Sequence, residues 1–162
     1  MNIALVAHDG RKTELLEWVK YNYKILSKHN LYATGTTGKL ISELLAFDLT
    51  VEENGITYSE HIKPFQDRVT CLLSGPLGGD QEIGAMIAEG KIDMLIFFCD
   101  NLIMQGHQND VSALTRLASL YNIAFATNRT TADMLITSPL FDSESYNRIM
   151  PEAIELYKNR KL

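Results

Sequence analysis

Several features of nucleic-acid-binding, membrane and secreted proteins are scarce in this sequence of 162 residues. Lysine and arginine total 15 against 20 aspartates and glutamates, so the basic excess typical of a nucleic-acid-binding protein is missing. No apolar run approaches the roughly 20 residues that span a bilayer. The first residues also lack the charged start and long apolar stretch of a signal peptide. We therefore expect a cytoplasmic protein with no nucleic-acid or membrane partner.

Cysteine is also scarce, and its two occurrences argue against a disulfide scaffold. Cys71 and Cys99 each lie in an apolar, strand-like run, so we expect both to be buried thiols in a reducing compartment. The sequence also lacks the ligand spacing of a metal cluster. We therefore expect no metal site.

What is present is an alternation of short apolar runs with longer amphipathic segments. The short runs predict strands at 3–7, 30–33, 69–73, 94–98 and 123–126. The segments with helical spacing predict helices at 11–27, 39–47, 80–89, 111–121, 130–136 and 151–161. This alternation is typical of an α/β fold, a doubly wound three-layer sandwich around a central, mainly parallel sheet.

One polar segment interrupts the alternation. Residues 48–67 are mostly polar, and Asn54-Gly55 between two short apolar stretches is a strong hairpin signal. We interpret the chain as a single domain over residues 1–162, with this segment as a surface insertion.

Polar residues cluster directly after four of the predicted strands. The clusters are His8-Asp9 with Lys12, the stretch 34–38 (TGTTG), the stretch 74–80 (SGPLGGD), and Asp100. Ligands of open parallel sheets gather beyond the carboxyl ends of the strands, so we expect these clusters to form one site.

The stretch 34–38 has the composition of an anion-binding turn. Its two glycines and three threonines precede a predicted helix, where backbone N–H groups favour an anion and glycine permits close approach. Lys12 supplies a positive charge to the same predicted site. A simple capping turn is the alternative, and the spacing of a Walker loop is absent.

Asp80 and two histidines are the candidates for acid–base chemistry. Asp80 ends the second glycine-rich loop, where it can serve as a carboxylate of the site, as the N-cap of the next helix, or as both. His8 follows a buried strand, and His107 lies in a polar loop. We interpret His29 and His61 as solvent-exposed residues.

In this order the clusters closely resemble those of methylglyoxal synthases. The matching stretches are IALVAHD with Lys12, LYATGTTGKLI, SGPLGGDQEIGAMIAEGKIDMLIFF with Asp100, His107 followed by Asp110-Val111, and ATN at 126–128. They cover nearly the whole chain except the insertion and the C-terminal tail, and ATGTTG joined to SGPLGGDQ is the most specific part. The chain departs from the family at Asn101, where members have proline, and at Gln108-Asn109, where they have Asp-Pro.

The resemblance implies a carbon–oxygen lyase that converts dihydroxyacetone phosphate to methylglyoxal and inorganic phosphate through an enediolate. It implies no metal or organic cofactor, a cytoplasmic homohexamer, and inhibition by free phosphate. Asp80 matches the catalytic base, His107 the histidine that polarises the substrate oxygens, and Asp100 and Asp110 supporting aspartates. The residues assigned to substrate or phosphate binding are His8, Asp9, Lys12, Thr34, Gly35, Thr36, Thr37, Ser74 and Gly75.

Two other functions fit part of the pattern. A non-catalytic phosphate- or nucleotide-sensing module of the same fold would keep the glycine-rich loops and need no base. An isomerase would act on another sugar phosphate. The combination of Asp80, Asp100 and His107 favours the lyase, and release of phosphate from the substrate distinguishes the three.

Overall fold

The described part of the chain contains seven strands, five of which form the central sheet. The computed structural model describes residues 1–45, 49–53, 56–60, 67–102, 108–141 and 143–160, with backbone only for 45, 49–53, 56–60 and 108–110. The strands are β1 (Asn2–Ala7), β2 (Asn30–Ala33), β3 (Leu49–Glu53), β4 (Ile56–Glu60), β5 (Val69–Cys71), β6 (Met94–Phe98) and β7 (Ala124–Ala126). The central sheet is parallel throughout, in the order β5-β2-β1-β6-β7.

The register of the central strands brings their carboxyl ends to one edge. Ala7 at the end of β1 pairs with Phe98 at the end of β6, and Ala33 at the end of β2 pairs with Cys71 at the end of β5. All five residues of β6 are buried, as expected for a parallel strand covered on both faces. The segments that follow β1, β2, β5 and β6 therefore emerge side by side.

Helices cover both faces of the sheet, which confirms the predicted three-layer α/β fold. They are α1 (Lys12–Tyr21), α2 (Tyr23–Leu26), α3 (Gly35–Leu45), α4 (Gly79–Ala88), α5 (Gln108–Leu120), α6 (Arg129–Ile136) and α7 (Glu152–Lys158), with 3-10 turns at Asp9–Arg11 and Gly75–Leu77. On one face Trp18, Ile41 and Ala132 pack against the sheet, and on the other Ile83 and Leu114 do so. None of the helices in the described ranges is long and apolar enough to cross a membrane.

The largest differences from the predicted helix boundaries lie in the first two helical segments of the chain. The single helix predicted at 11–27 is interrupted at Asn22, whose side-chain amide donates to the Trp18 carbonyl at 2.9 Å. Such side-chain bonds compete with the helical ladder. The helix predicted to begin at residue 39 begins at Gly35, where the Gly38 N–H already donates to the Thr34 carbonyl at 2.8 Å. The sequence TGTTG has weak helix propensity, so the first turn was not predicted. Packing against the neighbouring loop overrides this propensity in the fold.

The polar segment contains the predicted hairpin. β3 and β4 pair antiparallel from Leu49–Glu60 to Glu53–Ile56. The turn residues Asn54-Gly55 lie outside the described residues. The interpretation of 48–67 as a surface insertion stays a prediction.

Two predictions of side-chain environment are wrong. His29 is 2% exposed, and its ring packs edge-on against Phe141 with 5.3 Å between ring centroids. Local periodicity cannot predict a contact between residues 112 positions apart in sequence. His61, the other histidine predicted to be exposed, lies outside the described residues. Cys71 is exposed because β5 is an edge strand, whereas Cys99 is partly buried, and both are free thiols. Burial raises the pKa of the Cys99 thiol to about 11.

Candidate functional site

A cavity of about 270 Å³ opens at the carboxyl edge of the sheet. Most of the residues assigned to the site from sequence line it: His8, Asp9, Lys12, Thr34, Thr36, Thr37, Ser74, Gly75 and Asp80. The rest of the lining is largely apolar: Val6, Ala7, Pro76, Phe97 and Val111. Three of the four clusters predicted from the sequence therefore meet at one place, beyond the carboxyl ends of the strands.

The start of α3 presents hydrogen-bond donors to this cavity. The Gly35 N–H donates to the Leu73 carbonyl at 2.9 Å, and Gly38 closes the first helical turn on Thr34. The amides of Thr36 and Thr37 lie between them in the first turn, where helix geometry provides no intrahelical acceptor. The positive end of the helix dipole adds to their attraction for an anion.

Thr37 carries a second sign of a ligand position. Its side chain is 2% exposed, and within the described ranges its Oγ1 has no hydrogen-bond partner. An unsatisfied buried hydroxyl costs about 1–3 kcal/mol, so such groups call for an explanation. Its position on the cavity wall supplies one, because a bound ligand oxygen can complete the bond.

Glycine brings the two site loops into contact. A Cβ on Gly35 would stand 2.8 Å from the Ser74 backbone nitrogen, closer than side-chain carbons are found. Gly35 therefore serves the site by permitting the approach of the Ser74 segment, rather than by lining the cavity itself. The predicted role of Gly35 as a ligand contact stays a prediction.

A second glycine-rich turn carries Asp80 into the cavity. Gly78 has φ +106°, a left-handed conformation that favours glycine, and a Cβ on Gly79 would lie 2.0 Å from the Leu73 carbonyl oxygen. The Ser74 carbonyl accepts hydrogen bonds from Leu77 and Gly79 at 2.9 and 3.0 Å. These constraints set the direction in which α4 begins.

Asp80 is a cavity residue and not the N-cap. The cap position of α4 is taken by Gly78, so Asp80 is the second residue of the helix. It is 8% exposed, and a Cβ on Gly75 would stand 3.1 Å from its Oδ2. The glycine at position 75 thus leaves room for the carboxylate against the loop backbone.

Lys12 and Asp9 form an ion pair at the cavity rim. The ammonium nitrogen of Lys12 contacts Oδ1 of Asp9, with side-chain exposures of 18% and 86%. The mostly buried lysine lies at the start of α1 and lines the cavity. The cation is therefore available to an anion inside, while the aspartate is turned largely to solvent.

A main-chain bond fixes the ring of His8. The Asp100 N–H donates to His8 Nδ1 at 2.8 Å, and the ring packs edge-on against Phe97 with 5.1 Å between centroids. Since Nδ1 accepts this bond, the neutral ring carries its proton on Nε2. His8 is thereby prepared to donate a hydrogen bond from Nε2.

Asp100 supports the site from outside the cavity lining. Its Oδ1 accepts from the Leu102 N–H at 3.1 Å, and its Oδ2 packs so closely on Gly10 that a Cβ there would stand 2.8 Å away. The contact to His8 runs through the Asp100 backbone, so the structure shows this residue orienting a histidine.

Two predicted catalytic residues cannot be placed with their side chains. His107 lies outside the described residues, and Asp110 lies in the first turn of α5, where only the backbone is described. Within the described part of the chain, no group of three or more histidine, cysteine, aspartate or glutamate side chains could hold a metal ion.

Sequence reasoning missed the apolar wall and one acidic residue. Phe97 and Val111 line the cavity, but apolar residues in a strand and a helix look like core positions in the sequence. Glu82 accepts a hydrogen bond from the Leu73 N–H at 2.9 Å. An acidic residue in the first turn of a predicted helix can be recognised in the sequence. Its partner, the Leu73 N–H, is known only from the fold.

Comparison with known proteins places the chain in a defined family. The family model described as "MGS-like domain" matches residues 14–127. Methylglyoxal synthase of Maridesulfovibrio salexigens is 53% identical over 143 residues, covering 88% of this chain and 87% of the relative. That of Proteus mirabilis is 53% identical, covering 91% of this chain and 84% of the relative.

A solved structure agrees with the sequence relatives. The crystal structure of methylglyoxal synthase from Elizabethkingia anophelis NUHP1 matches with a TM-score of 0.78 and 40% identity. The match covers 99% of this chain and 91% of that one.

Proposed function

Because this chain belongs to the methylglyoxal synthase family, we propose that the cavity at the carboxyl edge of its sheet is the active site. The chain is a carbon–oxygen lyase that forms methylglyoxal and inorganic phosphate from dihydroxyacetone phosphate. The observation that carries the assignment of the site is the meeting of a helix N-terminus, a cation and a carboxylate in one cavity. The proposal concerns which residues perform each step.

The phosphate group of the substrate binds at the start of α3. The first-turn amides of Thr36 and Thr37, the Thr37 hydroxyl and the Lys12 ammonium supply donors to its oxygens. Ser74, Gly75 and Thr34 line the same cavity, and the Ser74 segment lies against the start of α3. These groups hold the phosphate during the reaction and stabilise its charge as it leaves.

Asp80 is the general base. The substrate's hydroxymethyl carbon is a weak acid, and the carboxylate removes one of its protons while the carbonyl becomes an enediolate. The carboxylate lies on the cavity wall at the start of α4. Within the described lining, the only other carboxylate is that of the rim residue Asp9. Asp80 and the first turn of α3 line one cavity of about 270 Å³, so a small substrate can contact both.

Histidines stabilise the oxygens of the enediolate. His8 donates from Nε2, since its Nδ1 is occupied by the Asp100 N–H. His107 is proposed as the second donor and Asp110 as its support, on family resemblance alone. Asp100 acts on the reaction by orienting His8.

Orientation decides that phosphate is lost. When the C–O bond to phosphate stands perpendicular to the enediolate plane, the electron pair of the enediolate expels phosphate, and the resulting enol takes up a proton to become methylglyoxal. An isomerase would hold this bond in the plane to prevent the loss. The turn at α3 therefore selects the reaction by fixing the phosphate relative to Asp80.

The wider setting of the enzyme is proposed on the same basis. We infer a cytoplasmic homohexamer that needs no metal or organic cofactor and is inhibited by inorganic phosphate. We also infer that residues 1–162 form one domain with 48–67 as an insertion. Light scattering of the purified protein tests the hexamer, and activity after exhaustive chelation tests the absence of a metal.

A direct assay tests the proposed reaction. Purified protein with dihydroxyacetone phosphate should release methylglyoxal and inorganic phosphate in equal amounts. Deuterium from heavy water should enter the methylglyoxal, because the final protonation takes a solvent proton. Protein that binds phosphate but yields neither product would be a sensing module instead, and an isomerised sugar phosphate without phosphate release would indicate an isomerase.

A further inference from the structure

Glu82 lies in the first turn of α4 and holds the segment that leads into the site. Its Oε2 accepts a hydrogen bond from the Leu73 N–H at 2.9 Å. Leu73 directly precedes Ser74, and Glu82 follows Asp80 by two residues in the same helical turn. In the described part of the chain Glu82 does not line the cavity. Its contact therefore acts on the geometry of the site rather than on the substrate.

Leu73 also contacts the other helix start. Its carbonyl accepts the Gly35 N–H at 2.9 Å, at the first residue of α3. The same carbonyl oxygen lies where a Cβ on Gly79 would stand 2.0 Å away, so α4 begins in direct contact with it. Leu73 therefore links the two helix starts. Its C=O binds the phosphate-binding turn of α3, and its N–H binds the helix that carries Asp80.

The hydrogen bond that Glu82 accepts lies beyond the last residue of β5 that pairs in the sheet. β5 ends at Cys71, and the Leu72 N–H still donates to the Ala33 carbonyl at 2.8 Å. At Leu73 a carboxylate takes over as acceptor, and a bond to a charged acceptor is stronger than a neutral one. Leu73 is 50% exposed, so water can solvate its N–H when the side chain is removed. Loss of Glu82 should therefore change alignment more than folding.

We propose that Glu82 is a positioning residue, which fixes Asp80 relative to the phosphate-binding turn through the Leu73 N–H. The inference rests on the proposed function. Asp80 takes the proton from the hydroxymethyl carbon, and the enediolate then has two outcomes. It expels phosphate with the C–O electron pair when that bond is perpendicular to its plane, or it takes a proton back from Asp80 and returns to substrate. Glu82 raises the fraction that eliminates.

The test compares three variants with the wild type in heavy water. Glu82→Ala removes the acceptor, Glu82→Gln keeps an acceptor without the charge, and Glu89→Ala is the control. Glu89 follows the last residue of the same helix and pairs with Lys91 at 2.6 Å. The measurements are kcat, KM, and the ratio of deuterium in recovered substrate to methylglyoxal formed.

Glu82→Ala should lower kcat about tenfold or more with KM within about threefold, because small misplacements of reacting groups have large effects on rate. Its exchange-to-product ratio should rise by a similar factor. Glu82→Gln should stay within about threefold of the wild type, since the amide oxygen accepts the same bond. Glu89→Ala should match the wild type in all three measurements.

Several results would overturn the inference. One is a Glu82→Ala variant whose exchange-to-product ratio equals that of the wild type. Another is a Glu82→Gln variant whose kcat falls as far as that of Glu82→Ala. A third is a loss of kcat that only follows the folded fraction measured by circular dichroism. If Glu82→Ala does not fold, Glu82→Asp should show the raised ratio, because the shorter carboxylate does not reach Leu73; a wild-type ratio there contradicts the inference. Wild-type protein that forms no methylglyoxal would instead refute the proposed function, and this inference with it.

Discussion

The two helix starts that face the cavity have similar backbones but carry different first-turn side chains. α3 begins with Gly-Thr-Thr-Gly and α4 with Gly-Asp after a left-handed glycine, and both are pressed against the Leu73-Ser74 segment. The first turn of α3 presents neutral hydroxyls, whereas that of α4 presents a carboxylate. A helix N-terminus attracts anions in either case. In the proposed function, the first-turn side chain decides whether the position binds phosphate or takes a proton.

Asp80→Asn should break this comparison most strongly, because it removes the base and leaves both helix starts intact. General bases commonly contribute about 10²–10⁴-fold, and we expect a loss of kcat at the upper end of that range. Inorganic phosphate should bind as tightly as before or more tightly, since a nearby negative charge is gone. Calorimetric titration with phosphate beside a methylglyoxal assay measures both. Near-normal turnover would leave Asp80 a structural residue.

Lys12→Met should weaken the phosphate side alone. A charged hydrogen bond is worth about 1.5–3 kcal/mol, so the Kd for phosphate should rise about 10–100-fold. Deuterium exchange at the hydroxymethyl carbon should persist at saturating substrate, because Asp80 is unchanged. Lys91→Met, which removes a cation paired with Glu89, is the matched control. Equal effects of the two variants would show that net charge matters rather than position.

Thr37→Val should separate binding from stability at α3. The hydroxyl has no partner within the described ranges, so its removal should leave the unliganded protein as stable or up to about 1 kcal/mol more stable. Phosphate binding should weaken about tenfold, because the hydroxyl donates to a charged acceptor and the lower end of the range for such bonds is about 1.5 kcal/mol. Thr115→Val is the control, since that hydroxyl donates to the Val111 carbonyl at 3.0 Å. Clear destabilisation by Thr37→Val would mean that its hydroxyl serves the fold.

The smallest expected effect concerns Cys99, which directly follows β6. Burial raises its pKa from 9.0 to about 11, so the folded protein favours the neutral thiol. This contribution to stability is fully present below pH 9 and is lost as pH rises from 9 to 11. For a partly exposed group we expect about 1–2 kcal/mol.

Denaturation of the wild type and of Cys99→Ala across this pH range measures the effect. The difference in unfolding free energy between the two proteins should shrink as pH rises. A constant difference for Cys99→Ala would contradict the effect of burial.

The sequence predicted the layers of the fold because the central strands are short, mostly apolar runs between amphipathic segments. It also predicted that the polar clusters would meet, because parallel strands end at one edge. The start of α3 was predicted four residues late, since the contact of Gly35 with Ser74 outweighs the poor helix propensity of glycine and threonine. The hydrogen bond of Glu82 to Leu73 could not be predicted, because it depends on how an edge strand meets a helix start.

The most direct test of the division between the helix starts is a crystal structure with inorganic phosphate bound. We predict phosphate oxygens within hydrogen-bonding distance, about 2.7–3.2 Å, of the Thr36 and Thr37 amides and of the Lys12 ammonium. The Asp80 carboxylate should lie beside the vacant space next to the phosphate, without accepting from it. Phosphate bound beyond hydrogen-bonding distance of the α3 turn, or seated at the start of α4, would contradict the account.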